Sequence, residues 1–293
     1  MRLLVTALTA ASLSAQAPPS VLPETATKIS EHVWAIMGNP NIGIVVGTRA
    51  TLVVDTGLGP RNGATIAKVA ATLSKNQKLF LTTTHFHPEH AAGEGGFPPN
   101  TVLIRPAVQQ KEMDLHGMEM VELFSRSPER KELLNGVQFR APDLTFDTEA
   151  KLDLGGGVIA RLLWLGGAHT KGDEVVLVEP DATLISGDVV QNKVVPNIYG
   201  DGGTPASWLA VLDKIAALPV SHVLPDHSAP GDGSLVAQER AFIDDVRIRA
   251  LALKKQGGSA EDAGKQLSAE FKTKYAGWPS MNLAAFVRSV YAE

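Results

Sequence analysis

The sequence contains no cysteine. No disulfide can form, an oxidising compartment finds no thiol to damage, and any metal site must be built from nitrogen and oxygen ligands. A block of basic residues is also missing, and the formal charge is −4 over 293 residues. Nucleic acid and anionic membrane are therefore not expected partners. Beyond the amino terminus no apolar run is long enough to cross a bilayer. No repeat, low-complexity tract or linker divides the chain, so one domain is the economical reading. No Gly-x-Ser-x-Gly elbow or reactive cysteine offers a protein nucleophile. What remains is an ordinary globular composition, 44% hydrophobic and 20% charged, able to bury a sizeable core.

Residues 1–17 read as a secretory signal. Arg2 supplies the positive start, Leu3 to Leu13 a short apolar stretch, and Ala15-Gln16-Ala17 a small-x-small cleavage site. Cleavage after Ala15 is the alternative, because Pro18 follows Ala17 directly. A periplasmic or secreted protein is expected, with no membrane contact once the signal is removed. Residues 18–28 are rich in Pro and Thr and read as a flexible amino terminus, with a single domain over 29–293.

Within that domain, Val33 to Met37, Ile42 to Val46 and Thr51 to Val54 are β-rich, and Gly47–Ala50 reads as a hairpin turn. Ile66, Val69 and Leu73 have helical spacing, and a strand is expected over 78–84. Residues 107–135 form a helical insertion crowded with Met113, Met118, Met120 and Phe124. It is expected either to cover a site or to fill core, with Met as the gap-filler. His116, a lone histidine on that helix, is expected to be a surface or core residue. A second β-rich block spans Ala150–Leu154, Val158–Leu165, Glu174–Val178 and Thr183–Ser186. Thr204-Pro205 caps a helix bearing Trp208, Leu212 and Ile215. A short strand over His222–Leu224 follows, and the last ~60 residues are mainly helical.

The densest chemistry is His85-Phe86-His87-Pro88-Glu89-His90, three imidazoles and one carboxylate in six residues. It follows a strand-like run, so it sits where a strand ends. His85 and His87, two apart on extended backbone, project to the same side. Pro88 turns the chain and can open a helix. Imidazole nitrogens and carboxylate oxygens are the ligands that zinc and its first-row neighbours accept. Further along, His169, Asp188 and His227 each terminate a short strand-like segment, and Asp55 ends another ahead of Thr56-Gly57.

These residues and their order resemble the metallo-β-lactamase superfamily over roughly residues 30–232. That pattern runs His-x-His-x-Asp-His, then a lone His, a lone Asp and a final His, with an early strand ending in Asp. Two departures stand out: Glu89 occupies the place of the clustered Asp, and His227 lies between Asp226 and Ser228 rather than between glycines. The resemblance implies an α/β (α+β) fold, an αββα sandwich of two mixed sheets with helices on the outer faces. It implies that His85, His87 and His169 hold one ion and that Glu89, His90 and His227 hold a second. Asp188 would bridge the two, and Asp55 would support the ligands from behind. Two Zn²⁺ are the expected cofactors, with iron or manganese as alternatives. The implied function is a zinc hydrolase whose metal-bound hydroxide, oriented by Glu89 and Asp188, attacks the carbonyl of a small lactam, lactone, ester or amide. An iron-dependent oxidoreductase or a phosphodiester hydrolase on the same fold are the competing readings. Asp173 is either a cap or an outer partner of His169. Lys193, Asn197 and Tyr199 are expected to border the pocket as substrate contacts, although an ordinary surface lysine remains open for Lys193. Sequence is silent on oligomeric state.

Overall fold

The structure is a computed structural model that describes residues 21–199 and 202–293. The signal segment 1–17 lies outside the described residues. Strands β1 (Thr27–Lys28), β2 (Val33–Ile36), β3 (Ile42–Val46), β4 (Ala50–Val54), β5 (Lys78–Thr82), β6 (Val102–Pro106) and β7 (Leu144–Phe146) lie side by side in chain order. The first four pair antiparallel, and β4 to β7 pair parallel. Parallel neighbours require a crossover, and helix α1 (Pro60–Leu73) supplies it between β4 and β5. Pro60 opens that helix where its missing N–H costs nothing, and Ile66, Val69 and Ala70 form its buried face.

The second sheet runs β13 (Gly231–Asp232), β12 (His222–Pro225), β11 (Thr183–Gly187), β10 (Glu174–Glu179), β9 (Val158–Trp164), β8 (Glu149–Gly155). Only β11 and β12 pair parallel, joined through α5 (Pro205–Ala216), whose Thr204 cap accepts from Ser207 N at 3.0 Å. The sheets face each other across Val45, Leu52, Val54, Leu162, Val176 and Ile185. Helix α1 covers the outer face of the first sheet, Ile66 and Val69 packing among Ile44, Val53 and Leu81. Helices α5, α6 (Ser234–Lys255), α7 (Ala260–Lys274) and α8 (Ala284–Ala292) cover the second around Trp208, Phe242, Phe271 and Phe286. The architecture is the αββα sandwich of two mixed sheets. Strands β4, β10 and β11 are buried on both faces because both faces are covered.

Two expectations need correction, and two strands were not anticipated. Residues 21–28 are not loose: β1 pairs with β2, Leu22 N donates to Asn62 Oδ1 at 2.9 Å, and Leu22 packs beside α1. Strands β6 and β7, which flank the helical insertion, extend the first sheet although their sequences show no clear alternation. Strand β5 ends at Thr82, because the Thr84 N–H turns to the Asp55 carboxylate at 2.7 Å instead of to a neighbouring strand.

The insertion forms α3 (Ala107–Phe124) and α4 (Pro128–Leu133). Its two readings merge. Met113 and Met120 bury against Phe86, inside the histidine cluster, with Tyr199 and Phe124 alongside. Buried Gln109 donates to Thr83 O at 2.8 Å and to Gly172 O at 3.0 Å, and Glu112 accepts from Gly172 N at 2.6 Å. Helix α3 thus bonds to the loop of His169 and to the segment just before His85.

Candidate metal centre

In the segment after β5 the local backbone sets the side-chain directions. His85 and His87 point the same way, with His85 Nε2 3.0 Å from His87 Nδ1. Pro88 then opens the single-turn helix α2 (Pro88–Ala91), which carries Glu89 in its first turn and rotates His90 to face Asp55. Gly187, at φ +55, ends β11 so close to Thr84 that a Cβ would lie 2.7 Å from Thr84 Cβ. Only glycine permits this approach, which brings the following Asp188 up to the histidines.

Two groups of atoms result. His85, His87 and His169 each offer a nitrogen, all within 4.8 Å of one another, and a Glu89 carboxylate oxygen with a nitrogen each from His90 and His227 forms a second such group. His169 Nε2 is 3.3 Å from His87 Nδ1, and His90 Nε2 is 3.2 Å from His227 Nε2. Asp188 lies between the groups, Oδ2 3.4 Å from His169 Nε2 and Oδ1 3.2 Å from His227 Nε2. Ligand atoms 2.0–2.1 Å from a tetrahedral ion lie ~3.3 Å apart, so these spacings suit one shared cation in each group. Glu89 Oε2 is buried without a hydrogen-bond partner, as a ligand atom awaiting a cation would be. The residues therefore fit the group that the sequence implies.

The opposite ring nitrogens are held from behind. His169 Nδ1 donates to Asn197 O at 2.5 Å, which leaves Nε2 with its lone pair facing inward. His227 Nδ1 pairs with Asn39 Oδ1. His90 Nδ1 lies 3.1 Å from Asp55 Oδ2 and 3.2 Å from Asp226 Oδ2. The Thr84 hydroxyl donates into the same carboxylate pair and lies 3.3 Å from His85 Nδ1. Asp55 holds φ +73 to do this, a left-handed conformation that Asp tolerates better than most residues. His87 is the exception: its outer Nε2 has no partner, and the Tyr199 ring stands edge-on to it at 4.7 Å.

Electrostatics follow the packing. Burial, then the neighbouring imidazoles, holds His85 and His87 well below the ordinary histidine range, so both are neutral ligand types. Burial also lowers His227, against the pull of Asp188. Burial works to lower His90 too, but the Asp55 and Asp226 carboxylates outweigh it and raise His90 well above its ordinary value. That negative field also favours a cation on the inner side of the ring. Asp188 stays below the usual carboxylate range despite burial, because His169, His227 and His90 surround it.

All seven expected ligands converge, with Asp55 directly behind His90. The other candidates divide. Asn197 and Tyr199 line a cavity of about 260 Å³ together with His87, Glu89, His169, Asp188 and His227. Asn197 also acts through its backbone carbonyl on His169. Lys193 does not border the pocket: it is exposed at φ +64 and absent from the cavity wall, its loop turning the side chain outward. Asp173 is no helix cap. It is buried and accepts from Ala168 N, Thr170 N and the Thr170 hydroxyl, which shapes the loop that carries His169. His116 is half-exposed, within 3.5 Å of Glu119.

Several working residues were not singled out from sequence. Asp226 follows a strand end just as Asp55 does, and that signal could have found it. Gln191 offered none, yet its amide donates to Asp188 Oδ1 at 3.1 Å and accepts from the Ser228 hydroxyl at 2.7 Å. Asn41 likewise clamps the final loop, donating to Pro225 O and Ser228 O, both at 2.8 Å.

The metallo-beta-lactamase superfamily profile matches residues 36–227, and the chain belongs to that superfamily. It is 25% identical over 238 residues to the linear primary-alkylsulfatase of Pseudomonas sp. (strain ATCC 19151), a match covering 68% of this chain and 44% of that protein. The chain thus spans less than half the length of that curated relative. Among solved structures, the metallo-beta-lactamase from Pontibacter korlensis aligns with a TM-score of 0.58 at 20% identity, over 75% of this chain and 99% of that one. The sec-alkylsulfatase Pisa1 from Pseudomonas sp. aligns at 0.66 and 14% identity, over 91% of this chain and 49% of that one. These structural likenesses are likenesses of fold.

Proposed function

We propose that the chain is a metal-dependent hydrolase, working with two zinc ions on a small substrate that carries a lactam, lactone, ester or amide carbonyl. The observation that carries this reading is the pair of ligand groups at cation spacing, His85/His87/His169 and Glu89/His90/His227, with Asp188 between them. Divalent ions held there by these residues would supply Lewis acidity and lower the pKa of bound water toward neutrality.

The chain's own residues do the rest. Asp188 spans both groups and would offset the repulsion between two cations, which neutral imidazoles cannot do. Asn197, Asn39, Asp55 and Asp226 hold the imidazole rings of His169, His227 and His90 in one orientation, so little reorganisation accompanies binding. Met120 and Phe124 line one side of the cavity with apolar surface. Export to the periplasm or medium belongs to the same proposal and rests on the charged, apolar and small-x-small order of residues 1–17.

The test is metal analysis of protein purified without added metal, with turnover followed before chelation, after it, and after zinc is returned. Two equivalents of zinc and chelator-reversible hydrolysis support the proposal. Bound iron with visible absorption, and no hydrolysis once zinc is restored, would overturn it in favour of redox chemistry on the same ligands.

A further inference from the structure

The wall opposite the ligand groups is apolar. Helix α3 contributes Met120 and Phe124, and the loop after β11 contributes Val194, Val195 and Pro196. Trp208 backs His169, and its only polar atom is spent on Val189 O at 2.9 Å, so the indole presents hydrocarbon. Among the described residues that line this cavity there is no Lys or Arg. Gly200 and Asp201, outside the described residues, are not cationic residue types. Lys193 is exposed outside the wall. Arg130 stacks on Phe124 at 4.8 Å and lines a different cavity, together with Glu129. The amide of Gln191 is already bonded to Asp188, Gly187 and Ser228. Tyr199 and Asn197, which touch His87 and His169, are the remaining uncharged polar residues of the wall.

We infer that the substrate is an uncharged ester or lactone with a short apolar arm, and that Met120 and Phe124 set the length of that arm. The inference rests on the metallohydrolase reading and narrows it. A carboxylate, sulfate or phosphate carried into this cavity away from the ligand groups would be desolvated without a cationic partner, which is costly. An aliphatic arm gains from each methylene it buries there. The cavity, at about 260 Å³, lies below the ~300–1,000 Å³ usual for drug-sized ligands, so the arm it takes is short. In the reaction the oxygen of one water bonds to the carbonyl carbon and the ester C–O bond breaks. One proton of that water ends on the leaving alcohol, and the other is released as the new acid ionises. The products are a carboxylate and an alcohol, joined in one hydroxy acid when the substrate is a lactone.

The experiment uses zinc-loaded full chain and measures kcat/KM for p-nitrophenyl esters from acetate to dodecanoate and for alkyl-substituted lactones. Three anionic probes are run beside them: a carboxylate-bearing chromogenic cephalosporin, p-nitrophenyl sulfate and bis(p-nitrophenyl) phosphate. Neutral esters or lactones should exceed every anionic probe at least tenfold, with an optimum at a short chain. Phe124→Ala and Met120→Ala should move that optimum to longer chains at unchanged metal content. Phe124→Leu, a milder change, guards against misfolding and should move it less. Val195→Arg should raise turnover of the cephalosporin relative to the neutral esters. Preference for an anionic probe, or an optimum unmoved in correctly folded, metal-loaded variants, overturns the inference while leaving a hydrolase. No turnover of any class by protein holding two zinc ions overturns the hydrolase reading itself and the inference with it.

Discussion

The amino-terminal half of the sandwich supplies four candidate ligands from six consecutive residues, whereas the carboxy-terminal half supplies three from three separate loops. In His85-Phe86-His87-Pro88-Glu89-His90 the backbone alone sets the directions: an extended pair of histidines, a proline, one helical turn. His169, Asp188 and His227 have no such local frame. The His169 loop is shaped by Asp173 and pinned by Gln109 and Glu112 of α3. Gln191 ties the Asp188 end to Ser228, and Asn41 holds the loop of His227. A clustered motif takes its side-chain directions from local backbone, with His90 also held by Asp55 and Asp226; dispersed ligands take even their placement from outer hydrogen bonds. Damage to the first half should therefore act through the ligands themselves, and damage to the second should also act through their anchors.

The largest effect is expected at His87, which belongs to the local half. His87→Ala opens the three-histidine group and should lower kcat/KM by about 10³-fold or more, the several kcal/mol that metal-ion catalysis contributes. Metal content by mass spectrometry and circular dichroism should show lost metal and an intact fold. Full activity at unchanged metal content would remove the ligand assignment.

Next come Asp188→Ala and Asp173→Ala, which separate a dispersed ligand from its anchor. Asp188→Ala should cost more, since it touches both groups. Asp173→Ala should cost about 10–100-fold, the usual range for outer partners. Equal losses, or the reverse order, would mean that the loop anchor matters as much as the ligand it holds.

Glu89→Asp probes whether the local half tolerates a change of reach. The carboxylate withdraws by about one carbon–carbon bond, ~1.5 Å, against a ligand-distance tolerance of ~0.2 Å. Charge is preserved, so activity should persist with weaker or differently selective binding of the second ion. Stepwise metal titration of both proteins reads this out. Two ions bound with indistinguishable affinities and identical pH–rate profiles would exclude Glu89 as a ligand.

The smallest effect on turnover is expected at Glu239, which lies on α6 in the carboxy-terminal half. It is buried, with neither carboxylate oxygen in hydrogen-bonding geometry to a partner. Burial pushes its carboxyl well above the usual range, with the Gln191 backbone pulling less strongly the other way. The folded-state pKa is raised, so below the unfolded value of ~4.3 both states are protonated and the group costs nothing. Above it the unfolded chain ionises first, and stability falls as pH rises. Glu239→Gln should therefore match wild type near pH 4 and exceed it near pH 7 by about 1–3 kcal/mol in urea melts. A gain that is independent of pH would refute the burial argument.

The histidine cluster, the lone His169 and His227, Asp188 and the strand-ending Asp55 were all legible because ligand chemistry restricts residue type and strand ends restrict position. The sheets were legible where apolar runs are long, as in β4 and β10, and illegible at β6 and β7, which are short and take their pairing from neighbours. The superfamily pattern, the kind of ligands and their order along the chain follow from side-chain chemistry and local backbone, and so can be read without a structure. Tertiary structure alone decided that Asp226 shares His90 with Asp55, that Gln191 and Asn41 hold the final loop, that Lys193 points away, and that α3 walls the cavity with Met120 and Phe124. Those contacts join residues as many as 187 positions apart, and no local spacing encodes a meeting that only the closing of two sheets brings about.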